Sequence, residues 1–206
     1  MEPRELLKRY FGHSAFRPGQ ETLIDGLLSG RDVLGVMPTG AGKSMCYQIP
    51  ALAMEGMTLV VSPLISLMAD QVAALNQAGV PGAYLNSALD LEAYQEVLQG
   101  IRRGIYKLLY VAPERLTAPA FLAALARTTV SLVAVDEAHC VSQWGQDFRP
   151  SYLKIPEFLE QLPARPVMGA FTATATAQVK ADIIQMLGLR APEIVTTGFD
   201  RPNLYF

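Results

Sequence analysis

The run Met37-Pro38-Thr39-Gly40-Ala41-Gly42-Lys43-Ser44 has the residue types that holding a polyphosphate requires. Glycines at 40 and 42 let the backbone curl without Cβ clashes, so successive N–H groups from Thr39 through Ala41 and beyond converge on phosphate oxygens. A helix opening after Ser44 adds the positive end of its dipole. Lys43 supplies a full charge to the β- and γ-phosphates, and the Ser44 hydroxyl is suited to ligating Mg²⁺. The strict pattern has glycine at position 37, where this chain has Met. A second pair of chemical groups closes an apolar run, Val133-Ala134-Val135-Asp136-Glu137. A strand that delivers one carboxylate to a metal and a second to an attacking water is the other half of nucleoside triphosphate hydrolysis. Asp136 is the expected Mg²⁺ holder, through water, and Glu137 the group that serves the nucleophile.

These groups need elements to position them. Val33–Val36, Thr58–Val61, Ala83–Leu85, Lys107–Val111, Val130–Val135 and Val167–Phe171 read as short apolar strands. Helices are expected at Arg4–Phe11, Gly19–Leu28, Leu64–Ala78, Leu91–Arg103, Phe121–Arg127, Tyr152–Gln161 and Gln178–Leu187. Alternating strands and helices, with strands apolar along their length, predict a three-layer α/β domain around a parallel sheet. In such sheets ligands bind beyond the C-terminal strand ends. The polar residues cluster there: Thr39–Ser44, Ser62–Ser66, Ala112–Arg115, Asp136–His139 and Thr172–Thr174.

Of 206 residues, 50% are hydrophobic and 17% charged, which excludes a disordered chain. A net charge of −2 argues against a wholly basic nucleic-acid binder but leaves room for a local cationic groove. Cys46 and Cys140 are far apart and lack neighbours at metal spacing in sequence, so both read as reduced thiols. No apolar stretch is long enough to span a bilayer and no signal-peptide core is present. The expectation is a cytoplasmic protein with no membrane partner.

The loop 142–149 holds Trp144, Phe148 and Arg149 among polar residues. Two readings stay open: bases of a single strand stack on the exposed rings, or Trp144 packs beneath the loop. Arg115 likewise either contacts a phosphate or pairs with Glu114 on the surface.

Asp136-Glu137-Ala138-His139 and its continuation Cys140-Val141-Ser142-Gln143-Trp144-Gly145-Gln146-Asp147-Phe148-Arg149-Pro150 resemble a superfamily 2 motor, and closely the first RecA-like domain of the RecQ DNA helicases. Phe16-Arg17-Pro18-Gly19-Gln20, Ser62–Leu67, Ala112–Leu116 and Phe171–Ala175 extend the resemblance over essentially the whole chain. The resemblance implies a RecA-like P-loop NTPase fold, ATP and Mg²⁺ as cofactors, and single-stranded and duplex DNA as partners. It makes Gln20 the adenine reader, Arg17 a stacking neighbour of the base and His13 a base contact. Ser66 and Arg115 become backbone-phosphate contacts. Trp144, Phe148 and Arg149 become the loop that couples DNA to hydrolysis, and Thr172 and Thr174 the link from the γ-phosphate site to domain movement. Gln146 departs from the family, whose members commonly carry histidine there.

By the same resemblance, residues 1–31 are N-terminal helices with the adenine-reading segment, 32–198 the first RecA-like domain, and 199–206 the start of a linker to a second RecA-like domain. That partner domain, with the arginine that completes the ATP site, is expected to lie outside this chain. The implied activity is 3′ to 5′ translocation and duplex unwinding in DNA repair and recombination, with this chain alone binding nucleotide but not unwinding. Alternatives are an RNA helicase domain of the same superfamily and a nucleotide-gated DNA-binding module without turnover.

Overall fold

The computed structural model describes residues 1–198; the expected linker at 199–206 lies outside the described residues. Among the described residues, eight α-helices and seven strands alternate from α2 onward: α1 Pro3–Phe11, α2 Gln20–Leu28, β1 Val33–Val36, α3 Met45–Ala53, β2 Met57–Val61, α4 Ile65–Gln77, β3 Gly82–Leu85, α5 Leu91–Arg102, β4 Leu108–Val111, α6 Pro119–Leu125, β5 Val130–Val135, α7 Ile155–Glu160, β6 Val167–Thr172, α8 Ala177–Met186 and β7 Glu193–Thr196. The strands form one sheet in the order β3-β4-β2-β5-β6-β1-β7. Every pairing is parallel.

The period-2 geometry of a strand explains how short apolar runs serve two cores. Leu34 and Val36, Leu59 and Val61, Leu109 and Val111, and Val133 and Val135 pack on one face, with Phe121 of α6, Phe158 of α7 and Ile183 of α8. Val33, Val60, Leu108, Leu132 and Ala134 pack on the other, with Leu23 of α2, Tyr47 of α3 and Met68 of α4. Both faces are covered, which is why these strands read as continuous apolar runs. On the second side, Leu6 and Leu7 of α1 and Ile24 of α2 join Ile49 of α3.

Two local expectations change. β7 was not expected; its side chains alternate half-buried and exposed and it pairs with β1 alone, so it lacks the apolar signal of a central strand. The helix expected over Tyr152–Gln161 is a 3₁₀ turn, Pro150–Lys154, leading into α7. Pro150 and Pro156 remove backbone donors, and each proline sits at the start of its own short element.

Asp32, at the entrance to β1, fastens the opposite end of the sheet from the polar loops. Its buried carboxylate accepts from Arg165 Nη2 at 2.6 Å and Nη1 at 3.2 Å, from Met168 N at 3.0 Å and from Arg190 N at 2.7 Å. One side chain thereby ties β1 to the start of β6 and to the α8–β7 connection.

Candidate active site

β1 ends at Val36, and the loop 37–44 carries the chain into α3. Met37 is fully buried and its N–H donates to Thr172 O at 2.9 Å, so the ladder to β6 runs one residue past the strand. Its side chain lies against Cys46, with sulfurs 3.8 Å apart. Position 37 is thus a core position on ordinary backbone, which is how the loop dispenses with the glycine of the strict pattern. Gly40 and Gly42 have φ of +84° and +80°, the left-handed region that L side chains avoid. A Cβ on Gly42 would also strike the Gln20 amide.

The N-terminal segment is hooked onto this loop. Gln20 is buried; its Nε2 donates to Gly42 O at 2.8 Å and its Oε1 accepts from Arg17 N at 2.8 Å. The Arg17 guanidinium donates to Gly40 O. Each Gln20 amide atom has hydrogen-bonding capacity left for a further partner. His13 is exposed, three residues before Phe16, and its side chain makes no hydrogen bond among the described residues. Thr39 is exposed at the loop's tip, and Ser44 is half-buried where the chain turns helical. Lys43 Nζ donates to Met37 O at 3.2 Å, which holds the ammonium across the cradle.

β5 delivers the acidic pair. Asp136 N donates to Val61 O at 2.9 Å, so the ladder holds until the first acidic residue. Glu137 then adopts φ 48°, ψ 45°, a left-handed conformation that costs a non-glycine residue about 1–3 kcal/mol. Two bonds fix this turn: Glu137 N to Asp136 Oδ1 at 3.0 Å, and Tyr152 Oη to Asp136 O at 2.8 Å. Burial and the neighbouring Glu137 carboxylate raise the Asp136 carboxyl to about 6, against the opposing pull of the Glu137 N–H and of Lys43. Lys43 therefore acts within electrostatic reach of Asp136. Because the pKa is raised, the charged form opposes folding: this contribution to stability is full below the ordinary carboxyl pKa and is lost as pH rises through about 6.

The strained turn puts Glu137 beside His139, with Oε2 3.5 Å from Nδ1. His139 Nδ1 is also 2.8 Å from Thr172 Oγ1 at the end of β6, and that hydroxyl donates to Thr174 O at 3.2 Å. The threonine motif therefore reaches Glu137 through His139. Direct bonds from Thr172 to Asp136 or Glu137 do not form. His139 and Tyr152 are the site residues that sequence reasoning passed over; His139 was visible only as a letter of the acidic motif.

The loop 142–149 starts from a buried anchor. Ser142 Oγ donates to Asp182 Oδ2 of α8 at 2.6 Å and accepts from Trp144 N at 3.1 Å. Gly145 passes so close to the turn that a Cβ there would lie 2.6 Å from His139 O. Trp144 is 76% exposed, so it does not pack beneath the loop. Phe148 is half-buried. Arg149 Nε and Nη2 both donate to Asp147 Oδ2 at 3.0 Å. Glu137, His139, Trp144, Gln146, Thr174 and Val179 are among the residues lining one cavity of about 540 Å³. The acidic turn, the threonine motif and the aromatic loop thus share one space. Elsewhere along the strand ends, Ser66 is exposed in the first turn of α4. Arg115 lies 5.2 Å over the Tyr94 ring and donates to Asn86 O at 3.3 Å; it makes no pair with Glu114.

The sequence pattern of the family described as DEAD/DEAH box helicase matches residues 17–182, from the Arg17 segment through α8. The chain belongs to that family. This DEAD/DEAH box helicase domain is 50% identical over 204 residues to "ATP-dependent DNA helicase RecQ" of Bacillus subtilis (strain 168), with 98% of this chain and 34% of that protein covered. It is 47% identical over 202 residues to the protein of the same name from Pasteurella multocida (strain Pm70), covering 98% of this chain and 32% of that one. The domain spans about a third of the length of these curated relatives. The crystal structure of DUF1998 helicase MrfA shares its fold at TM-score 0.74 and 18% identity, over 95% of this chain and 32% of that chain. Among the described residues of the DEAD/DEAH box domain, no helix is long and apolar enough to cross a membrane.

Proposed function

We propose that this chain is the ATP-binding motor half of a RecQ-type 3′ to 5′ DNA helicase, coupling ATP hydrolysis to movement along single-stranded DNA and unwinding of duplex DNA in repair and recombination. The observation that carries the reading is the one cavity shared by Glu137, His139, Thr174 and exposed Trp144. It gives a water-activating carboxylate and a base-stacking ring a common wall.

The residues fit ATP and Mg²⁺. Gly40 and Gly42 give the loop the left-handed backbone on which N–H groups can turn toward a phosphate, and a hydroxyl at Ser44 with a carboxylate at Asp136 is a hard oxygen donor set. Bound there, the ion would neutralise charge developing on the phosphates. Lys43 exchanges the Met37 carbonyl for a phosphate oxygen, and Gln20 and Arg17 turn their spare capacity to the base. Glu137 takes the proton of the attacking water, and His139 holds Glu137 in register with Thr172. Below about pH 6 a proton on Asp136 would oppose its holding of Mg²⁺.

Lys43→Ala is expected to weaken ATP binding about 10- to 100-fold, the value of a charge-assisted hydrogen bond of ~1.5–3 kcal/mol. Calorimetric titration with Mg-ATP checks it. Trp144→Ala is expected to weaken single-stranded DNA binding by about 1–3 kcal/mol while leaving the thermal midpoint in place, because the ring is exposed. Fluorescence anisotropy with labelled DNA, paired with a melting curve, reads both.

The test of the whole reading is steady-state Mg-ATP hydrolysis with and without single-stranded DNA, after binding has been established. Nucleotide binding with slow turnover is expected. Arg115 and Arg149 are engaged with Tyr94 and Asp147, so neither stands in for an arginine finger worth a factor of ~10³ or more. Fast turnover and strand separation by this chain alone would refute the half-motor reading. Stronger stimulation by RNA than by DNA would favour an RNA helicase domain. No turnover in the full-length protein would favour a nucleotide-gated binding module.

A further inference from the structure

Behind the acidic turn, three side chains of different donor chemistry converge. His139, Cys140 and Asp147 each offer one ligand atom, and these atoms lie within 4.8 Å of one another. Cys140 Sγ is 3.8 Å from His139 Nε2 and 4.0 Å from Asp147 Oδ2. Zinc bonds of ~2.0–2.3 Å in tetrahedral geometry set ligand atoms roughly 3.3–3.8 Å apart, so the cluster needs only an ångström or so of contraction to close on an ion.

The surroundings orient the imidazole and the carboxylate. The Thr172 hydroxyl donates to Thr174 O, so its oxygen receives the proton on His139 Nδ1. That network assigns the tautomer whose lone pair is on Nε2, the atom facing Cys140. A second partner fixing the far nitrogen is the usual support of a metal-bound imidazole. Asp147 Oδ2, the oxygen 4.0 Å from Cys140 Sγ, also accepts both Arg149 bonds, while the other carboxylate oxygen has no hydrogen bond among the described residues, so an ion would take Oδ2 in competition with the guanidinium or draw in Oδ1 by rotation of the carboxylate. Arg149 N also donates to Cys140 O at 2.9 Å, holding the two ends of the cluster together. Cys140 is buried, His139 half-buried and Asp147 exposed, so an ion has a route in from solvent.

We propose that His139, Cys140 and Asp147 form a binding site for a zinc-class divalent cation, with imidazole, thiolate and carboxylate donors and a fourth position left to water. On binding, the Cys140 S–H bond breaks, sulfur keeps the electron pair for the metal and the proton leaves to solvent. The bound ion cross-links the acidic turn to the aromatic loop, and the site stands whether or not the helicase reading does.

Titrating this chain with Co²⁺ reads it directly. One equivalent is expected to produce a thiolate-to-cobalt absorption band in the near ultraviolet, which Zn²⁺ then bleaches. Cys46→Ser should keep the band and Cys140→Ser should lose it. Asp147→Ala, at an exposed position with little call on folding, should weaken Co²⁺ binding by at least the ~10- to 100-fold that loss of an outer-shell partner costs. No band in the unmodified chain, a band that survives Cys140→Ser, or affinity unmoved by Asp147→Ala overturns the proposal.

Discussion

Asp32→Ala is expected to cost about 3–5 kcal/mol of folding stability, the range for breaking a buried ion pair by removing one partner. Asp32 is 2% exposed in its side chain and Arg165 28%, so solvent relieves the orphaned guanidinium only in part. The loss is wider than the pair, because the N–H groups of Met168 and Arg190 lose their acceptor as well. Against a total stability of about 5–15 kcal/mol typical of a domain, that is a fifth or more. Urea denaturation should show a lower midpoint at unchanged slope. Glu21→Ala provides the control: its partner Arg4 is 70% exposed, and such surface pairs contribute under ~1 kcal/mol. Equal costs for the two variants would mean that Asp32 is not the fastener its geometry describes.

Glu137→Gln is expected to lower ATP turnover about 10²- to 10⁴-fold in the full-length protein, the contribution of a positioned general base. Nucleotide affinity should stay within a few-fold, since the amide keeps the shape and the phosphate-holding groups are elsewhere. The left-handed turn at Glu137 is a backbone property, held by Asp136 Oδ1 and Tyr152, so the substitution leaves it in place. Phosphate-release kinetics and calorimetry together separate the two effects. Turnover that persists at the normal rate removes Glu137 from the water-activating role.

Much of this was legible in sequence because both cores act on the same short segments. β1, β2, β4, β5 and β6 are apolar on both faces, and that run is readable residue by residue. β7 was not legible, since an edge strand with alternating exposure has no such run. The site divides in the same way. Chemistry set by neighbours in the chain, such as Gly40 with Gly42 or Asp136 with Glu137, is written in spacing. Chemistry set by topology is not. Nothing local to Thr172 says that its hydroxyl meets His139, because that contact exists only where β5 lies beside β6. The Arg149–Asp147 pair, two residues apart, was within reach of sequence, where Arg149 was read only as part of the loop that couples DNA to hydrolysis. Trp144 stood between two readings; its exposure removes the packed one and leaves stacking to the DNA-binding measurement.

The strand order also sets a timetable. β1 carries the phosphate loop, yet both its neighbours, β6 and β7, come from residues 167–196. A ribosome adding ~5–20 residues per second therefore exposes Val33–Val36 for roughly 7–27 s before either edge can be filled. Closing a loop of that length costs entropy before any ladder bond repays it, so the nucleotide cradle belongs to the last stage of folding. A nascent chain stalled before residue 167 holds every loop residue from Met37 to Ser44 and has no strand to set them on.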